Sequence, residues 1–305
     1  MITKSTLQKG VLLGVLPGVM QLAYVQSLRA DTTGAEQLPQ NTAVAEQTEE
    51  AQQSYAENQF RQAKALLKKN PTAAFDLYRM AAEHGHAKAQ HNLATMYYQG
   101  SGVAKNTQEA AKWFRKAAEQ GATLAQVSLA GLLAAGDGVP KNLQEALVWY
   151  GKAAEQGSEA AQLRLGELLS FGDDALPKDY AQAAKWLEKA AAQGNAAAQN
   201  NLGTMHEYGL GVAKDTKKAA SWYAKAAEHG NAKAQANYGR FLANASLAGI
   251  DLVHAFKWLK LAKDQGDVTA ENLLVEIVPM MTSVQIKEGK RLADEFTAHA
   301  APPVQ

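Results

Sequence analysis

Residues 196–230 read AAAQNNLGTMHEYGLGVAKDTKKAASWYAKAAEHG, and the same arrangement of residues returns along most of the 305-residue chain. The five tryptophans lie 36 or 37 residues apart, at Trp113, Trp149, Trp186, Trp222 and Trp258. Glycines keep the same interval, at Gly85, Gly121, Gly157, Gly194, Gly230 and Gly266. A glutamine follows each of the first five glycines by five residues, at Gln90, Gln126, Gln162, Gln199 and Gln235. Self-similarity at a fixed period is the signature of a repeat architecture, so these registers predict a repeat protein.

Each repeat contains two apolar stripes with helical spacing. In residues 86–121 the first stripe consists of Ala89, Leu93, Met96 and Tyr97, and the second of Ala110, Trp113, Phe114, Ala117 and Ala118. Both stripes follow the 3.6-residue period of an amphipathic helix. Alanine pairs near the end of the second stripe allow neighbouring helices to approach closely, and each tryptophan is expected to fill the space between its two helices and the next repeat. Since one helix pair cannot hide its apolar stripe alone, stacked pairs must share a continuous core.

Short turns separate the two helices of a repeat. The turns GSGVAKN, GDGVPKN and GLGVAKD place glycine where a left-handed residue can end the first helix. We interpret Gly100, Gly136, Gly172 and Gly209 as these terminators. Helix N-caps are predicted at Asn106, Asn142, Asp179, Asp215 and Asp251, and each stabilises its helix by about 0.5–2 kcal/mol. The fifth repeat departs from the pattern, because Ala245 stands where a turn glycine is expected.

The registers divide the chain into segments. Taking each repeat from the residue after one glycine to the next gives five repeats, at 86–121, 122–157, 158–194, 195–230 and 231–266. We interpret 59–85 as a partial N-terminal repeat or cap, 267–298 as C-terminal capping helices and 299–305 as a disordered tail. The expected fold class is all-α: a right-handed α-solenoid of helix-turn-helix repeats of about 36 residues, with capping helices.

The repeated sequences resemble a known family. Residues 196–230 and residues 122–157, ATLAQVSLAGLLAAGDGVPKNLQEALVWYGKAAEQG, are similar to the Sel-1-like repeat, a relative of the tetratricopeptide repeat. The similarity extends over about residues 87–266. It implies two antiparallel helices per repeat, with the first helix of each lining a concave face, and a role in holding protein partners.

The first thirty residues have the order of a secretory signal peptide. Lys4 and Lys9 precede an apolar stretch at 11–25, and the small residue Ala30 follows. Pro17 interrupts this stretch, which is shorter than the roughly 20 residues of a membrane-spanning helix. We expect cleavage near Ala30, a periplasmic or secreted location, and no stable membrane insertion afterwards. An uncleaved anchor is the alternative.

Residues 31–58 contain six acidic residues and no lysine or arginine. Such a polar segment buries too little apolar surface to offset its ordering entropy. We interpret it as a flexible acidic spacer. A frayed helix over residues 44–57 is the alternative.

Composition excludes several classes of protein. The chain has no cysteine, which rules out disulfides, thiolate metal sites and a cysteine nucleophile. Its formal net charge is +1, and residues 31–305 carry 28 basic and 30 acidic side chains. Nucleic-acid binding needs a concentrated basic surface, so we expect no nucleic-acid partner.

The sequence offers no catalytic or metal site. His84 and His229 stand where other repeats have glutamine, so we interpret them as surface residues. His84, His86 and His91 lack a carboxylate at a spacing that would complete a metal site. His206 replaces an apolar residue, and we interpret it as a core-edge histidine with a hydrogen-bond partner rather than a pH switch. No serine lies in a GxSxG or SxxK motif. We therefore expect no enzyme, cofactor or metal.

A binding face is easier to argue, since offsets from the repeated glutamine identify exposed first-helix positions. The candidate groove consists of Tyr98, Leu124, Val127, Leu163, Phe171 and Tyr208, and its rim of Lys88, His91, Lys233 and Arg240. Apolar anchors between charged ends suit an amphipathic helix or extended peptide. The alternative is that Val127 and Leu163 merely pack against the neighbouring first helix.

Three functions remain open. The first is a non-enzymatic exported scaffold for a protein or peptide partner, in keeping with the resemblance. The second is a glycan-binding or cell-wall-binding module, with Tyr98, Phe171 and Tyr208 as stacking platforms for a polysaccharide. The third, which the missing serine motifs disfavour, is a hydrolase acting on cell-wall or β-lactam substrates. The resemblance does not choose among biofilm or secretion, flagellar, host-interaction and toxin-immunity roles.

Overall fold

The computed structural model describes residues 38–173, 176–245 and 251–300, which form fourteen α-helices and one short 3₁₀ helix. The α-helices are α1 Leu38–Leu66, α2 Pro71–Glu83, α3 Ala87–Gln99, α4 Thr107–Glu119, α5 Thr123–Ala135, α6 Leu143–Glu155, α7 Glu159–Phe171, α8 Tyr180–Ala192, α9 Ala196–Tyr208, α10 Thr216–Glu228, α11 Ala232–Ala245, α12 Leu252–Asp264, α13 Val268–Ile277 and α14 Ser283–Ala300. The 3₁₀ helix, Val278–Met280, follows α13. The predicted all-α fold is confirmed. The segment interpreted as a signal peptide lies outside the described residues.

The helices belong to two compact units. The first ends at Ala122 and contains α1–α4, and the second begins at Thr123 and contains α5–α14. Successive helices pack against each other from α1 to α4 and from α5 to α13, and α14 lies on α12. This consecutive packing of helix pairs is that of an α-solenoid. We call the two helices of a repeat its first and second helix.

The residue after each tryptophan fills the core of its repeat. These residues are buried in all five repeats: Phe114, Tyr150, Leu187, Tyr223 and Leu259. A small residue of the first helix lies opposite in the last three repeats. A Cβ atom on Gly203 would come within 2.6 Å of the Tyr223 ring, and Gly166 and Gly239 are equally close to leucine side chains. The two helices of a repeat can therefore cross closely.

Two of the five tryptophans, Trp149 and Trp258, are buried as expected, and the other three lie at the edge of the core. Trp113, Trp186 and Trp222 are only half-buried. A lysine ammonium lies 4.0 Å from the ring centroid in the Lys116–Trp113 pair, and similar pairs recur in later repeats. The aliphatic stem of the lysine covers the ring while its charge stays in water.

Buried glutamines link consecutive repeats within the second unit. Gln235 of α11 donates through Nε2 to the carbonyl oxygen of Ala227 (3.3 Å), at the end of α10. Its Oε1 accepts from Gln265 Nε2 (2.8 Å), at the end of α12. Gln162 makes the same two bonds, with Ala154 and Gln193, and Gln199 makes them with Ala191 and His229. One amide thus ties together three helices.

His229 replaces the glutamine donor of this arrangement. It is exposed, as expected, but its Nδ1 lies 3.2 Å from Gln199 Oε1. Since Gln199 Nε2 already donates to Ala191, Oε1 is the acceptor, and Nδ1 of His229 must carry a proton. The sequence interpretation missed this contact.

The turn glycines end the first helices as predicted. Gly100, Gly136 and Gly209 have φ near +73° and Gly172 has φ +56°. A second turn glycine has another role, because a Cβ on Gly211 would lie 2.2 Å from the carbonyl carbon of Tyr180. The turn of one repeat therefore rests directly on the second helix of the preceding repeat. The fifth-repeat turn, 246–250, lies outside the described residues.

The predicted caps are also confirmed. Asn106, Asn142, Asp179, Asp215 and Asp251 each accept a hydrogen bond from a backbone N–H in the first turn of the following helix. Thr282 and Gln285 form a reciprocal capping box before α14. On α14, the Phe296 ring packs edge-on against Trp258, with centroids 5.2 Å apart.

The N-terminal region is more helical than expected. Helix α1 covers most of the segment interpreted as a spacer, and extends beyond the alternative helix over 44–57. Ala56 and Ala63 are fully buried in a cluster with α2 residues, and Phe60 packs against it. Burial against α2 supplies the stabilisation that composition alone does not indicate. The expected disordered tail differs as well, since α14 continues to Ala300 and 301–305 lie outside the described residues.

Candidate partner-binding face

Three apolar side chains of the candidate groove are well exposed on first helices of the second unit. Leu124 is 68% exposed, Phe171 73% and Tyr208 57%. Leu124 lies in the first turn of α5, whereas Phe171 and Tyr208 are the last residues of α7 and α9. None of the three is needed to complete the core, so all three are accessible to another molecule.

The two remaining groove positions of this unit are less accessible. Val127 of α5 and Leu163 of α7 are half-buried. Part of their apolar surface is therefore already used within the fold. The accessible apolar surface lies at the ends of the first helices, away from their centres.

In the first unit, Tyr98 lies near the end of α3 and is 39% exposed. The ammonium group of Lys105 lies 5.4 Å from its ring centroid. Tyr98 is therefore less accessible than Leu124, Phe171 and Tyr208.

The four rim residues fall into two groups. Lys88 and Lys233 are exposed, as expected. His91 is half-buried, with Nδ1 3.3 Å from Asn92 Oδ1 and its ring 5.4 Å from that of Phe114. Burial lowers the pKa of His91, which disfavours a positive charge on this part of the rim.

Arg240, the fourth rim residue, is held in a polar network that connects two repeats. Its guanidinium donates to both oxygens of Glu207, at 3.0 and 2.8 Å. The Tyr223 hydroxyl also donates to Glu207 (2.7 Å), and Thr204 lies 3.0 Å from that hydroxyl. Bidentate pairing of this kind combines strength with a fixed geometry.

The network shifts the pKa of Glu207. Burial alone would raise it, but hydrogen bonds from Arg240 and Tyr223 outweigh burial and lower the pKa below its ordinary value. Glu207 is therefore ionised and paired at neutral pH. The sequence analysis missed the pair, although opposite charges on neighbouring first helices, 33 residues apart, are a readable signal.

The N-terminal histidines have structural contacts. His86 caps α3 by accepting from the Ala89 N–H through Nδ1 (3.1 Å), and its Nε2 lies 2.9 Å from Glu57. His206 is buried, with Nδ1 3.3 Å from the Ala213 carbonyl oxygen, which confirms a core-edge histidine with a hydrogen-bond partner. Within the described ranges, no group of three or more His, Asp or Glu side chains is placed to hold a metal ion.

One surface cleft lies away from the first helices. It has a volume of about 680 Å³ and is open to solvent. Its lining comes from a single second helix, α8, and includes Trp186 and Lys189. No residue of the candidate groove contributes to it.

Helix pairs of this kind, with buried inter-repeat glutamines and exposed first-helix side chains, define a repeat protein of the interaction-scaffold class. The Sel1 repeat family model matches residues 50–86, 87–121, 123–158, 159–195, 196–231 and 232–267. The chain therefore belongs to the Sel1 repeat family, and the resemblance is confirmed. The family model finds six repeats, and the first includes the part of α1 that was interpreted as spacer and cap. Sel1 repeat proteins generally act as protein-interaction scaffolds.

Solved structures include similar proteins. A Sel1 repeat protein from Oxalobacter formigenes is 30% identical, with a TM-score of 0.64, and the alignment covers 79% of this chain and 98% of that chain. A protective antigen of uropathogenic Escherichia coli strains, which displays an SLR fold, is 27% identical with a TM-score of 0.54. That alignment covers 81% of this chain but only 62% of the antigen. No curated protein matches the chain.

No helix within the described ranges is long and apolar enough to cross a bilayer.

Proposed function

We propose that this chain is an exported, non-enzymatic scaffold that binds a protein partner through its first-helix face. Membership of a family of protein-interaction scaffolds supports the general role. The observation that carries the proposal is the exposure of Leu124, Phe171 and Tyr208, all on first helices. Apolar side chains that the fold leaves in water are the usual anchors of an interface.

The polar network supports a binding role for the same face. Glu207 and Arg240 join consecutive first helices, α9 and α11, through two hydrogen bonds. A face whose side chains are already fixed loses less conformational entropy when a partner binds. Tyr208 is adjacent to this fixed pair.

Affinity capture tests the proposal. The full chain is immobilised and exposed to a periplasmic extract, alongside Leu124→Ser and Phe171→Ser variants and the control Val148→Ser. Val148 is 51% exposed but lies on the second helix α6. We expect a partner that the wild type and the control retain and the two variants lose, with unchanged thermal melting. A partner retained equally by all four proteins would contradict binding through the first-helix face.

Export is part of the proposal and rests on residues 1–30. Their basic start and apolar middle favour secretion. The mature protein should begin near Asp31, which N-terminal sequencing of periplasmic material would check. An intact Met1 in that material would contradict cleavage.

Glycan binding is a second candidate, favoured by the exposure of Tyr98, Phe171 and Tyr208. Flat aromatic rings can stack on sugar rings as well as on peptide groups. A glycan screen with the wild type and Phe171→Ser separates the two functions. Ring-dependent glycan binding without a retained protein partner would favour the second candidate.

A further inference from the structure

The side of α13 that should meet a second helix is open. Val275 lies 36 residues after Gly239 and 72 residues after Gly203, at the same position of the repeat. Both glycines lie against the core residue of their own second helix, since a Cβ there would come within 2.6 Å of Leu259 or Tyr223. Val275 is therefore directed to the place of a second helix, yet its side chain is 70% exposed.

The helix that follows α13 does not cover this side. Helix α14 packs on α12 instead, where Phe296 lies edge-on against Trp258. Val268 lies seven residues before Val275, which is about two helical turns, so both valines share one side of α13. Val268 is 68% exposed. Two apolar side chains are thus left in water on a side that is covered in the preceding repeats.

The repeats themselves show what covers this side of a first helix. Helix α10 covers α9 at Gly203, and α12 covers α11 at Gly239. The covering element is each time an α-helix that presents one fully buried side chain, Tyr223 or Leu259, at the centre of the contact. An amphipathic helix from another molecule can take the same place on α13. Because Val275 is larger than glycine, leucine suits the centre of that helix better than tyrosine.

Charge selects a basic helix. Residues 264–286 contain four acidic residues and no lysine, arginine or histidine. Lysines of α12 already pair with Asp264 and Glu271. Glu276, the neighbour of Val275, is exposed and forms no ion pair within the described ranges. A second copy of α13 would bring like charges together, whereas lysines beside the apolar residues of a partner helix would pair with Glu276.

We propose that the open side of α13, formed by Val268, Val275 and Glu276, binds a basic amphipathic α-helix of a protein partner, in the place that a second helix takes in a complete repeat. A helix bound here would extend the row of helix pairs by one. The surface goes beyond the proposed function, because it shares no residue with the exposed first-helix side chains that carry that function.

A helical peptide derived from α12 tests the inference. The probe consists of residues 251–264, with Leu259 near its centre and three lysines, Lys257, Lys260 and Lys263. A side-chain cross-link holds the probe in a helix, because free peptides of this length are only marginally helical. The control peptide has the same cross-link and glutamate in place of the three lysines. In fluorescence anisotropy titrations of the full chain, we expect the basic probe to bind at least tenfold more tightly.

Substitutions on α13 locate the binding. Val268→Ser and Val275→Ser should each weaken binding of the basic probe at least fivefold, with unchanged melting temperatures, since both side chains are exposed. Glu276→Lys should weaken binding of the basic probe and strengthen binding of the glutamate peptide, a reversal that unspecific adhesion does not produce. Val148→Ser on α6 removes an exposed valine elsewhere and should bind the probe like the wild type.

Three results of the titrations would overturn the inference: equal affinity for the two peptides, absence of binding of the basic probe, or binding that survives both valine substitutions. Light scattering of the full chain tests the competing occupant. A dimer that Val275→Ser converts to a monomer would show that a second copy covers α13, and would also overturn the inference.

The two proposals can fail separately. Leu124→Ser and Phe171→Ser should leave the affinity for the basic probe unchanged, even if they abolish capture of a partner through the first-helix face. Loss of probe binding in these two variants would show that the probe binds away from α13, and would overturn the inference while leaving the scaffold role intact.

Discussion

At the scale of single residues, glycines with similar backbone angles serve different purposes. Gly211 has φ +67° and a Cβ there would clash with the backbone of Tyr180. Gly230 has φ +79°, and a Cβ there would meet no atom within 4 Å. Both positions need a left-handed residue, but only Gly211 also needs the absence of a side chain.

This difference gives a matched pair of substitutions. Gly230→Ala should lower the free energy of unfolding by about 1–2 kcal/mol, the penalty of a left-handed alanine. Gly211→Ala should lower the free energy of unfolding by that amount and by about 1–3 kcal/mol more, because the turn must move away from α8. Urea denaturation measures both. Equal losses would show that the turn does not rest tightly on the preceding repeat.

The Glu207 pair predicts a dependence on pH. The folded-state pKa of Glu207 is lowered, so the pair stabilises the protein above the unfolded glutamate pKa of about 4.3 and the gain is lost as pH falls through the folded value. Glu207→Gln should therefore be less stable than the wild type at pH 7, with a difference that shrinks below about pH 4. Urea midpoints at several pH values check this. A difference that stays constant with pH would contradict the assignment.

The sequence predicts these residue-level features unevenly. The N-caps and turn glycines are readable because capping and left-handed residues have strong local preferences. The Glu207–Arg240 and Gln235–Gln265 contacts depend on which repeats are neighbours and on the direction of each side chain. The burial of Trp113, Trp186 and Trp222 was overestimated, because a large apolar residue at helical spacing can lie in the core or at its edge.

At the scale of helices, the crossing of first and second helix depends on small residues. Gly203 of α9 faces the fully buried ring of Tyr223, and an added methyl group would lie 2.6 Å from it. Gly151 of α6 is also helical, but a Cβ there would meet nothing within 4 Å. One glycine makes room for packing and the other lowers helix propensity without a packing role.

The two glycines should respond in opposite directions. Gly151→Ala should stabilise the protein by about 0.5–1 kcal/mol, the difference in helix propensity. Gly203→Ala should instead destabilise it, because the Tyr223 ring must shift. The strain should cost about 1–3 kcal/mol, of which the higher helix propensity of alanine offsets a part. Thermal and urea unfolding measure whether each substitution raises or lowers the stability. A stabilising Gly203→Ala would show that α9 and α10 have room to separate.

At the scale of the whole molecule, the repeats within each unit contact mainly their immediate neighbours. In such chains, stability is close to a sum of repeat and interface contributions. Helix α13 occupies the place of a first helix after the last complete repeat. It has two strongly exposed valines, Val268 at 68% and Val275 at 70%. In complete repeats the position of Val275 holds a buried alanine or glycine, such as Ala130.

The amides of the second unit should therefore exchange at different rates. We expect hydrogen exchange to be faster in α13 than in α9, which has helices on both sides. Mass spectrometry of peptic fragments measures this. Uniform protection across the unit would indicate all-or-none unfolding and contradict nearest-neighbour behaviour.

Architecture was therefore easier to predict from the sequence than the site. Five copies of one pattern average out local ambiguity, and the period of about 36 residues fixes the helix pairs. Only part of α1 was considered, as the alternative helix over residues 44–57, because its stability comes from Ala56 and Ala63 against α2 while its composition is polar. The offset within the repeat predicted the exposure of Phe171, but it did not predict the partial burial of Val127 and Leu163, which depends on the neighbouring helices.

The glutamine that joins three helices has an evolutionary consequence. Since the seam between repeats is chemically the same at Gln162, Gln199 and Gln235, a gene segment encoding one whole period can be duplicated or lost without creating a new kind of boundary. Recombination out of phase would leave a carbonyl without its amide and an amide without its carbonyl. The glutamine contacts thus favour changes of chain length by whole repeats of about 36 residues.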